Sequence, residues 1–61
     1  MNYSIRTIRA QLRLKYGARQ YRISYKTFGA SCHARVNGLW VLVGYLDDPI
    51  FPYLIGLEST T

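Results

Sequence analysis

Acids, cysteine and histidine are scarce in this chain, and long apolar runs are missing. Cys32 is the only cysteine, so no internal disulfide can form. His33 is the only histidine and lies next to Cys32, which leaves too few ligands for a four-coordinate metal site. No apolar run reaches the roughly 20 residues that a membrane-spanning helix needs. The N-terminal stretch also lacks the continuous apolar centre of a secretory signal. A single thiol without a disulfide fits a reducing compartment, so a cytoplasmic location is expected. Residues 1–35 contain no acid, a composition shared with organellar transit peptides, but removing them would leave too little chain to fold.

What is present is cationic and aromatic. All eight basic residues (Arg6, Arg9, Arg13, Lys15, Arg19, Arg22, Lys26, Arg35) precede position 36, whereas Asp47, Asp48 and Glu58 lie near the end, giving a net charge of +5. This asymmetry points to an anionic partner, either nucleic acid or an acidic protein surface. Sixty-one residues make a single small domain, 1–61. A chain of this size buries only about 60% of its unfolded surface. Six Tyr, two Phe and one Trp supply much of the available core. A homo-oligomer is the remaining way to bury more.

Two periodicities compete in residues 4–17. Ile5, Ile8, Leu12 and Tyr16 form a helical stripe, with Ser4 as N-cap and Gly17 as terminator. The same stretch alternates Ile8, Ala10, Leu12, Leu14 and Tyr16 with polar residues, as a strand would. Ala, Gln, Leu, Arg and Lys are good helix formers, and propensity selects the helix. From residue 21 onward the alternation is β-like. Gly29-Ala30 and Asn37-Gly38 are two-residue hairpin turns, and together they define a three-stranded antiparallel meander.

These turns place Thr27, Cys32 and Val43 in one row of the sheet. Tyr25, Ala34 and Val41 form a second row, and Ile23, Val36 and Leu39 a third. Arg22, Ser24, Lys26, Phe28, His33, Arg35, Trp40, Leu42 and Leu46 fall on the opposite face. Asp48-Pro49 reads as the start of a short helical or extended segment over 50–55, ended by Gly56, with residues 58–61 frayed. The expected fold class is α+β: an N-terminal helix on the meander, plus a short C-terminal segment.

No catalytic constellation emerges. Cys32 and His33 point to opposite sides of a strand, which separates a nucleophile from its base. His33 reads as an exposed sheet residue beside Lys26 and Leu42, and Asp47-Asp48 as turn formers. No glycine-rich phosphate loop is present. A non-enzymatic protein is expected, without metal or cofactor.

The binding candidates are clearer. Arg6, Arg9 and Arg13 form a ridge on the helix without an acidic partner, and Arg6 and Arg9 oppose the helix dipole at its N-terminal end. Arg22, Lys26 and Arg35 form a second ridge beside Trp40, with Arg35 expected to stack on the indole. Such groups contact phosphates and stack on bases. A protein interface through Leu42, Leu46, Ile50, Phe51 and Tyr53 is the alternative, because "LWVLVGYL" is apolar on both faces. Coverage of that apolar strand, by the tail or by a second subunit, is the favoured expectation. A membrane surface is the least expected partner of the basic helix.

The order helix, meander, short C-terminal segment resembles the double-stranded RNA-binding domain in outline. Asp47-Asp48-Pro49 stands where that family carries a basic cluster, and Phe28–Ser31 replaces its second-loop signature, so no site residue is carried over. In size and basic balance the chain is similar to small accessory proteins of phages and plasmids, including anti-CRISPR inhibitors. That resemblance implies nucleic-acid binding, or inhibition of a nucleic-acid-handling complex.

Overall fold

The computed structural model describes residues 3–27 and 29–58. It is α+β, in the order α1 (Ile5–Tyr16), β1 (Tyr21–Lys26), β2 (Gly29–Val36), β3 (Leu39–Tyr45) and α2 (Phe51–Leu54). Helix α1 begins where the Ser4 side chain accepts the Thr7 N–H at 3.2 Å. It ends at Gly17, whose φ of 108° suits glycine and whose N–H donates to the Arg13 carbonyl at 2.9 Å. Ile8 and Leu12 of the expected stripe are buried, Tyr16 is half-buried and Ile5 is exposed.

The strands form one antiparallel sheet in the order β1-β2-β3. Asn37 and Gly38, at φ 52° and 80°, make the left-handed turn expected between β2 and β3. The first hairpin departs from expectation. Lys26 pairs with Gly29 rather than with His33, and Ile23 lies opposite Cys32 rather than Val36. This register sets Tyr21, Ile23 and Tyr25 against Ala34, Cys32 and Ala30, one bulky residue across from each small one. It also brings Ala30 into the sheet as a buried residue, which the expected turn would have left at its tip. Gly29 remains necessary for another reason. Its φ is 120°, and a Cβ there would lie 2.5 Å from the Asp47 carboxylate.

The second hairpin follows the expected register through Val36↔Leu39, Arg35↔Trp40, Ala34↔Val41 and His33↔Leu42. A bulge then intervenes, and Cys32 pairs with Gly44 instead of Val43. One extra residue reverses which way the following side chains point. Leu46 therefore belongs to the core face, buried with Ala30, and not to the face of Trp40. The tail follows it. Phe51 and Ile55 are fully buried in the same cluster as Ile8, Leu12 and Cys32. The expected packing of the tail over Trp40 and Leu42 does not occur.

Asp48 starts the final segment through its carboxylate, which accepts the Ile50 N–H at 3.0 Å. The helical residues begin only at Phe51, with Ile50 at the cap position where Asp48 was expected. Gly56 follows at φ 85°. Glu58 is held by the Tyr3 hydroxyl, which donates to it at 2.7 Å, rather than frayed. The fraying expected of 59–61, and the face expected for Phe28, lie outside the described residues.

Two consequences are measurable. A Cβ at Gly44 would come within 2.9 Å of Leu54 and 3.3 Å of Phe51. Gly44→Val should therefore destabilise the fold by about 1–3 kcal/mol through overpacking, read from urea unfolding. Burial pushes the Cys32 thiol up from 9.0 to about 11. The native thiol should then resist disulfide reagents at pH 8 and react fully on unfolding. Because folding retains this proton, the thiol's contribution to stability is present below pH 9 and is lost as pH rises through about 11.

Candidate nucleic-acid interface

The meander sorts its side chains cleanly. Facing away from both helices are Arg22, Ser24 and Lys26 from β1, Ser31, His33 and Arg35 from β2, and Trp40, Leu42 and Tyr45 from β3. Among the described residues, no helix covers this open face, since the buried residues of α1 and α2 share the core on the other side. Trp40 is 37% exposed and Leu42 48%.

Row by row, Arg35 lies opposite Trp40 at one end of the face. Arg22, His33 and Leu42 cross the middle, followed by Ser24, Ser31 and Tyr45, and Lys26 closes the far end. The guanidinium over the Trp40 ring belongs to Arg22, 4.4 Å from the centroid, and not to Arg35 as the turn-based register implied. Such a contact at an exposed site is worth about 0.5–1 kcal/mol. His33 is half-buried between Arg22 and Leu42, not exposed beside Lys26. Ser31 is buried at the centre, and its hydroxyl has no hydrogen-bond partner among the described residues.

Arg6, Arg9 and Arg13 remain together, exposed along α1 beside Ile5 and Ala10. The sheet separates this ridge from the open face, because Ile8 and Leu12 fix α1 to the core side. The two arginine ridges are thus distinct surfaces. Of the expected protein-interface residues, Leu42, Ile50 and Tyr53 are exposed, while Leu46 and Phe51 are buried core and cannot meet a partner.

Two features were not anticipated. Tyr45 joins Trp40 on the open face because the bulge reverses the end of β3. Gly44, interrupting an apolar strand, was the available sign of that bulge. All three acids also converge on one cleft of about 310 Å³, lined by Asp47, Asp48 and Glu58 with Tyr3, Pro49, Pro52 and Tyr53. The Glu58 carboxylate beside it holds the Tyr3 phenol above its usual range. Negative charge is thereby gathered at the α2 end of the molecule.

Among the described residues, no group of three or more His, Cys, Asp or Glu could hold a metal ion. No described helix is long and apolar enough to cross a membrane. No protein-family model, curated protein or solved structure matches the chain.

Trp40 is the only tryptophan and reports on this surface. Replacing Arg22 with Ala should uncover one face of the indole and increase its quenching by acrylamide. Arg35→Ala should leave the quenching unchanged. The opposite ranking would place the stacked cation on β2.

Proposed function

We propose that this protein is a non-catalytic binder of single-stranded nucleic acid, and that the open sheet face is its contact surface. The observation that carries this reading is an uncovered sheet face that holds Arg22, Lys26 and Arg35 together with Trp40 and Tyr45. Cations hold phosphates at no particular sequence, and aromatic rings stack on any base. An open three-stranded sheet face suits unpaired bases that can lie on it. The helix ridge of Arg6, Arg9 and Arg13 adds long-range attraction from the other side of the molecule.

The second reading is a protein-binding inhibitor or adaptor of a nucleic-acid-handling complex. The exposure of Leu42, Ile50 and Tyr53 favours it. The two readings differ in their response to salt and to substitution.

Titrating a labelled oligothymidine and a matched duplex over a range of salt tests the proposal. Three cations, each neutralising one phosphate of a single strand, give a slope of log K against log salt of about −2. Trp40→Ala should weaken binding by about 1–3 kcal/mol. Arg35→Glu should weaken it more than Arg9→Glu. Affinity that ignores salt, or that survives Trp40→Ala and Arg35→Glu, contradicts the assignment.

A further inference from the structure

Strand β3 has a feature that nucleic-acid binding does not require. It is an edge strand, and its first half is exposed on both faces: Leu39 is 69% and Val41 46% exposed on the core side, with Trp40 and Leu42 on the open side. Helix α2 packs over Gly44, toward the far end of the strand. Natural edge strands are usually guarded by charge, proline or distortion. The other edge, β1, follows that rule through Arg22 and Lys26. Strand β3, "LWVLVGY", carries no charge, and its bulge leaves residues 39–42 regular.

We propose that β3 pairs with β3 of a second copy of this chain, antiparallel about a two-fold axis at Val41, to give a continuous six-stranded sheet. Two observations select a second copy over another occupant. All eight basic residues lie on α1, β1, β2 and their connections, and the three acids follow β3, so two copies can meet at β3 without setting charged side chains of that strand against each other. The strand itself contributes no cation for an acidic partner to recognise. The strand also complements itself. The two-residue turn at Asn37-Gly38 makes Val36↔Leu39 the closing hydrogen-bonded pair. Alternation from that pair directs the backbone groups of Trp40 and Leu42 outward.

With Val41 on the axis, Trp40 of one copy faces Leu42 of the other. Each can then donate and accept across the seam. The two Val41 residues meet at the non-hydrogen-bonded position, where side chains come closest. Residues that face each other across the seam share a side of the sheet. The two open faces therefore merge into one, and the exposed Leu39 and Val41 side chains cluster on the other side. The contact is one strand wide and below the standard interface size, in the class of weak, reversible association.

This inference rests on β3 alone and is tested without nucleic acid, so its failure would leave the binding proposal standing. Sedimentation equilibrium of the full chain across the micromolar range should show a shift from 7.1 kDa to twice that mass. Val41→Lys, which places two ammonium groups against each other at the axis, should remain monomeric with an unchanged circular dichroism spectrum. Leu14→Lys on α1, at a residue 82% exposed, should dimerise as the native chain does. A native chain that stays monomeric, one that forms open-ended assemblies, or a folded Val41→Lys variant that still dimerises would each overturn the proposal.

Discussion

The central strand can support two helices because its inward side chains are small. Ala30, Cys32 and Ala34 leave shallow ground along β2, and Ile8 and Leu12 from α1 meet Phe51 of α2 and Ile55 just after it. Larger inward residues would lift both helices off the sheet. In a chain this short, losing those few buried side chains removes most of the hydrophobic stabilisation, each being worth about 1.5–3 kcal/mol. The bulky residues that complete the layer stand on β1, opposite the small ones. The register of the first hairpin and the seating of the helices are thus one constraint.

The bulge at Val43 divides the molecule chemically. Before it, β3 presents Trp40 and Leu42 to the open face. After it, Leu46 turns into the core, and the acidic, proline-containing tail follows onto the same side. Cations and aromatics are left on one face of the sheet, and the acids collect in a cleft at the α2 end. A regular β3 would have carried Leu46 to the Trp40 side and drawn α2 over it.

Much of this was legible in the residues. Ser4 and Gly17 marked the ends of α1, Asn37-Gly38 fixed the second turn, and alternation separated Cys32 from His33. The register of the first hairpin was less legible for a physical reason. Sliding β1 by an even number of residues keeps every side chain on its face, so a turn at Gly29-Ala30 and the register that pairs Lys26 with Gly29 are equally compatible with the pattern. Size pairing across the strands decides between them, and that is a property of the assembled layer. The bulge was invisible to alternation because "LWVLVGYL" is apolar throughout, so a change of phase leaves no trace in polarity. Arg22 reached Trp40, in place of Arg35, as a consequence of the slid register. Tyr45 joined the candidate surface because of the bulge.

Nuclear Overhauser contacts of the Trp40 indole test most directly whether the sheet has one covered and one open face. The account predicts contacts from the indole protons to the Arg22 side chain, and none to Phe51 or Ile55. Contacts between the indole and Phe51 or Ile55 within a single chain would mean that α2 lies over the cationic side, and would contradict it.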